Sequence, residues 1–113
     1  MKSNISNNLI FELKQLIEKE EIVFAYFSAN WCGECKMSNL VFDKLKLNYA
    51  DKISFLKIDV DEEKLWDDDE NKFFKVEKVP TFLIYKNKKE NNRYFNFKTI
   101  DFHQNQIRKL LNI

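Results

Sequence analysis

Cys32 and Cys35 stand two residues apart in Asn30-Trp31-Cys32-Gly33-Glu34-Cys35-Lys36. If a helix begins at the first of them, the second lies one turn further in, with side chains about 5–6 Å apart. Two sulfurs at that distance can form or open a disulfide with little backbone motion. The unpaired N–H groups and dipole at a helix start favour an anion, so the Cys32 thiolate gains stability there. This asymmetry assigns roles: Cys32, exposed, attacks a substrate disulfide, and Cys35, further in, resolves the mixed disulfide that results. The bland alternatives are a buried structural pair or half of a zinc site. Zinc normally takes four ligands, and without carboxylates only His103, far along the chain, is left to join. Redox chemistry is the stronger reading.

The flanking residues supply the elements such a pair requires. Leu9, Leu13, Leu16 and Ile17 recur at helical spacing and predict a helix over 8–19. Ile22-Val23-Phe24-Ala25-Tyr26-Phe27 is apolar without alternation, as in a strand covered on both faces, and belongs mid-sheet. Met37, Leu40, Val41 and Leu45 return to helical spacing, so a helix is expected from Cys32 to about Tyr49, followed by a strand over 53–58.

Asp59 and Glu62 have the offset of a capping box, and Leu65, Trp66, Phe73 and Phe74 suggest a third helix over 62–74. Beyond Pro80, apolar strands over 81–85 and 93–97 around a polar loop read as a hairpin. Asp101 with Gln104 offers a cap for a last helix whose inner stripe is Ile107, Leu110 and Leu111. The order αβαβαββα implies an α/β fold, a central mixed sheet flanked by helices on both faces.

Composition bounds the rest. A chain of 113 residues, 44% apolar with eleven Phe, has the length of a single domain spanning 1–113 and enough apolar surface for one core. Nineteen basic and eighteen acidic residues leave a formal charge of +1, which argues against nucleic acid or an anionic membrane as partner. The N-terminal stretch lacks the apolar core of an export signal, and no apolar run is long enough to span a bilayer, so a cytoplasmic protein is expected. In that compartment a two-cysteine staple would be kept open, which again favours catalysis over structure.

Trp31-Cys32-Gly33-x-Cys35-Lys36 after a buried strand, with Val79-Pro80-Thr81 ahead of the next-to-last strand, resembles the thioredoxin family, and the order of elements agrees along nearly the whole chain. The resemblance implies a thioredoxin fold and reduction of protein disulfides by a monomer. It needs no bound cofactor or metal and is recharged by an NADPH-dependent flavoprotein disulfide reductase of the thioredoxin reductase type. It further implies a cis Pro80 beside the cysteines, a Val79 backbone that pairs with extended substrate, with Trp31 and Thr81 alongside, and a buried Lys57 behind the site. A binding module without turnover, or a disulfide oxidant or isomerase, are the alternatives.

Departures from the family pattern fall on the chemistry. Glu34 replaces the proline between the cysteines, and its carboxylate opposes the Cys32 thiolate while its regained N–H can donate to the sulfur. Tyr26 stands where the family carries a buried aspartate that relays protons to the resolving cysteine, which leaves Glu34, Lys57 or water for that task and implies slower exchange. Leu40 replaces a helix-kinking proline, a glycine is missing over 97–100, and the third helix is expected one turn longer with the acidic run 61–70. By the residues alone, Lys57 also fits a solvent-facing strand lysine. His103 fits a packed or capping residue. The acidic run 67–70 and the lysines of 86–89 fit solvated faces.

Overall fold

The computed structural model describes residues 8–67, 69 and 71–113. Helix α1 (Leu9–Lys19) starts at Asn8, whose Oδ1 accepts from the Phe11 N–H at 2.9 Å, and buries Ile10, Leu13 and Ile17. Strand β1 (Ile22–Ser28) is buried at every position. The reason is its place in the sheet order β2-β1-β3-β4: β2 (Ser54–Asp59) runs parallel on one side and β3 (Thr81–Lys86) antiparallel on the other. Alternate β1 side chains enter different clusters. Val23, Ala25 and Phe27 pack with α1, while Ile22, Phe24 and Tyr26 pack with Phe42 and Leu45 of α2 (Gly33–Tyr49) and Ile107 of α4 (Ile100–Leu111). The mixed sheet with helices on both faces is therefore as expected.

Three elements differ from the sequence reading. No continuous helix spans 62–74. The chain makes a turn, a 3-10 segment at Leu65–Asp67 and one helical turn, α3 (Asn71–Phe74). Asp59 Oδ1 accepts from the Asp61 and Glu62 N–H groups at 2.9 Å each, but this closes a turn rather than capping the expected helix: Lys64 adopts φ 54°, and a left-handed residue stops propagation. Positions 68 and 70 of the acidic run lie outside the described residues.

The hairpin is tighter than its polarity suggested. Strand β4 is Lys89–Phe95, joined to β3 by Asn87 and Lys88 with φ 52° and 73°, the two left-handed residues of a type I′ turn. Lys89 to Asn92 read as loop because an edge strand can be polar where it faces water. The cap of α4 is Thr99, whose Oγ1 accepts from the Phe102 N–H at 3.3 Å; Asp101 sits inside the first turn, where its charge suits the dipole but does not cap.

Candidate active site

Cys32 and Cys35 follow the end of β1, and Val79, Pro80 and Thr81 lie where β3 begins beside it. Cys32 is the N-cap of α2: its Sγ accepts from the Cys35 N–H at 3.1 Å, and its own N–H donates to the Ala29 carbonyl at 3.2 Å. Cys32 and Cys35 are joined as a disulfide with Cα atoms 5.2 Å apart. The expected difference in access keeps its direction but is small, Cys32 being 6% exposed and Cys35 1%. Cys32 is thus not the openly exposed sulfur that was expected. Capping turns its side chain back over the first turn of α2, against the cluster that also holds Phe27 and Val60.

Trp31 is exposed, and its indole N–H donates to Asp61 Oδ2 at 2.7 Å, which ties the residue before the disulfide to the turn after β2. Gly33 opens α2 without a left-handed φ, and a Cβ there would meet nothing within 4 Å, so neither strain nor crowding demands glycine. Lys36 is exposed on the same helix. The Val79–Pro80 peptide is cis, Val79 packs partly buried against the cluster containing both cysteines, and Thr81 pairs with Phe27 at the end of β1. The Asn96 N–H donates to the Pro80 carbonyl at 3.0 Å.

Glu34 has a definite partner. Its Oε1 accepts from the Phe97 N–H at 2.6 Å across the mouth of the site, joining the start of α2 to the loop between β4 and α4. With Asn96 held by Pro80, the three loops around the disulfide are stitched by neighbouring backbone groups. An exposed charge-assisted bond of this kind contributes about 1 kcal/mol. Glu34→Ala is expected to lower the urea midpoint of the oxidised protein by that equivalent, and an unchanged midpoint would show the bond to be energetically idle.

Lys57 is not buried behind the site. Its side chain is exposed, in register with Tyr26, because β2 is an edge strand of the sheet among the described residues and an unpaired ammonium is costly to enclose. Tyr26 is fully buried, and its hydroxyl donates to Asn39 Oδ1 at 2.8 Å and also faces the Cys35 carbonyl at 3.2 Å. Burial pushes the Tyr26 phenol well above its ordinary range; the nearby Ser38 hydroxyl opposes this and the Asp43 carboxylate adds to it. Ser38 Oγ is close enough to temper the shift, yet it forms no bond of hydrogen-bonding geometry among the described residues. Ser38 and Asn39 were absent from the sequence reading. The signal that could have found them is the pair of polar residues three and four positions after Cys35, on the helix face toward β1.

A helix-capping cysteine bonded to its partner one turn on, at the end of a mixed α/β sheet, defines a thiol–disulfide oxidoreductase. The chain belongs to the thioredoxin family, whose model, described as "Thioredoxin", matches residues 6–109. It is 36% identical to the thioredoxin of Gallus gallus over 80% of this chain and 81% of that protein, and 36% identical to that of Malassezia sympodialis over 67% of this chain and 70% of that one. The solved structure of Plasmodium falciparum thioredoxin superposes with a TM-score of 0.74 at 27% identity, covering 88% of this chain and 91% of its own. The protein is accordingly an oxidoreductase of protein disulfides, working by dithiol exchange through Cys32 and Cys35.

Proposed function

We propose that this chain is a general protein-disulfide reductant in which Cys32 attacks and Cys35 resolves. The observation that carries the assignment is the capping geometry: the Cys32 sulfur already accepts an N–H from the first turn of α2 at 3.1 Å. When the bond to Cys35 opens, that N–H and the helix dipole stabilise a thiolate at Cys32 rather than at Cys35. The thiolate attacks one sulfur of a substrate disulfide, the substrate S–S bond breaks, and the other substrate sulfur leaves with the electron pair. Cys35 then attacks Cys32 in the mixed disulfide, the Cys32–Cys35 bond forms, and the second substrate sulfur leaves. Two electrons pass to the substrate, and the sulfurs it releases take up two protons.

Exposed Trp31 and the low surface at Gly33 offer substrate a face beside Cys32, and the half-buried Val79, ahead of Pro80 and Thr81, offers a backbone for extended substrate to pair with. The two electrons are restored by an NADPH-dependent flavoprotein reductase of the thioredoxin reductase type. Insulin reduction driven by dithiothreitol tests the reading. The protein is expected to accelerate precipitation of the insulin B chain well above the reagent alone, and no acceleration would point instead to a binding module that has lost turnover.

A further inference from the structure

The helix that carries the resolving cysteine is apolar on its outside as well as its inside. Cys35, Ser38, Phe42 and Leu45 of α2 are buried, yet Met37, Leu40 and Leu47 are 58%, 67% and 84% exposed. Met37 and Leu40 helped to mark this stretch as a helix in the sequence, and the structure turns them to water rather than to the core. Gly33, Met37, Leu40, Lys44 and Leu47 follow one another at steps of four, three, four and three, so they form one line along the outer face. A single exposed apolar side chain is ordinary, but three on one line make a patch that a partner can cover.

The place where the line begins decides what covers it. Gly33 adjoins Cys32, so a substrate attacked by the Cys32 sulfur has its own chain at the head of the line. The helix rises about 1.5 Å per residue, which puts Leu40 about 10 Å and Lys44 about 16 Å along from Gly33. An extended chain advances about 3.3 Å per residue, so the third and fifth residues from the attacked cysteine reach those two positions, both on one face of the strand. Lys44 makes no ion pair among the described residues, and Glu34 is turned to Phe97. Lys36 and Asp43 lie off the line on one side with opposite charges, which leaves Lys44 as the charge on it. We propose that the outer face of α2 docks the segment of substrate chain that flanks the disulfide under attack, with an apolar side chain on Met37 and Leu40 and a carboxylate at Lys44. This rests on the functional reading and adds a substrate class to it: disulfides with an apolar residue three positions and an acidic residue five positions from one cysteine. The exchange chemistry is unchanged; contact along α2 raises the local concentration of the disulfide at Cys32.

Synthetic peptides whose single cysteine is joined to thionitrobenzoate test the assignment. Cys32 attacks the peptide sulfur, the coloured thiolate leaves with the electron pair, and Cys35 then closes the disulfide and frees the peptide thiol. Reduced wild type should react with a peptide carrying Leu third and Glu fifth from the cysteine, in one of the two chain directions, about tenfold faster than with Ser and Gln there. Leu40→Ser should remove most of that ratio, and Lys44→Glu should transfer the preference to a peptide with Lys in place of Glu. Both variants should react with the Ser/Gln peptide at the wild-type rate. Wild-type rates within about twofold for all peptides, or a ratio indifferent to Leu40→Ser, overturn the proposal. Elution of the wild type as a dimer that Leu40→Ser dissociates would assign the face to a second copy and overturn it as well. The Leu/Glu peptide with Ser for Cys should shift the methyl resonances of Met37, Leu40 and Leu47, and no shift there counts against docking. A wild type that releases no thionitrobenzoate from any peptide sinks the functional reading, while the methyl shifts still decide whether α2 binds this segment.

Discussion

Cys35→Ser will convert the protein from a turnover reductant into a covalent trap. Cys32 keeps its place at the start of α2 and its contact with the first-turn N–H, so attack on a substrate disulfide proceeds. The sulfur that would release the product is missing, and a serine hydroxyl is too weak a nucleophile at neutral pH to replace it. Residues that act as a unit lose most of their joint effect when either is removed, so dithiothreitol-driven insulin reduction should fall roughly a thousandfold or more. Incubated with cell extract and resolved without reductant, the variant should carry mixed disulfides that dithiothreitol releases, and Cys32→Ser should carry none. Adducts on Cys32→Ser but not on Cys35→Ser would reverse the assigned roles.

The second large effect is on stability and comes from His103, a residue with no part in the chemistry. It is 1% exposed, among the rings of Phe24, Phe82, Tyr94 and Phe102, with Nδ1 2.7 Å from the Tyr94 hydroxyl. Burial, helped by the Lys98 charge, lowers its pKa from 6.5 to about 4. Above pH 6.5 the imidazole is neutral in both folded and unfolded chains, and its contribution is fully present. Between about pH 6.5 and 4 the unfolded chain takes up a proton that the folded one refuses, so stability falls as pH falls. Integrated over that window the loss is about 3 kcal/mol, a large share of a small domain's total.

Urea unfolding of the wild type at pH 7 and pH 4 should show this loss on top of that from carboxylates. The double variant Tyr94→Phe/His103→Phe removes both hydrogen-bonding partners together, leaves no orphan, and should lack that share of the slope. Parallel pH profiles for the two proteins would mean that the buried imidazole titrates as an exposed one does.

The sheet and the reactive pair were readable because each rests on a short-range pattern. Ile22 to Phe27 is apolar at every position, which only a strand covered on both faces tolerates, and the step from Cys32 to Cys35 is a helical one. What went unread depends on contacts distant in sequence. Lys89 to Asn92 look like loop until β3 supplies the pairing, and the apolar residues of 62–74 look like one helix until Lys64 turns left-handed. Lys57 reads as a buried support only if β2 is enclosed, whereas β2 is an edge strand of the sheet among the described residues. Ser38 and Asn39 show their meaning only once Tyr26 is seen beneath them, because one polar residue on a helix says nothing about what it faces.

The phenol of Tyr26 has one more consequence, for electrochemistry. Enclosed and pushed to high pKa, it stays uncharged at every acidity a cell visits, and its companions Ser38 and Asn39 carry no charge at all. The phenol itself therefore does not bend the dependence of the couple's midpoint on acidity. Near neutrality the couple takes up protons together with its electrons, and the sulfurs, not the phenol, set that dependence.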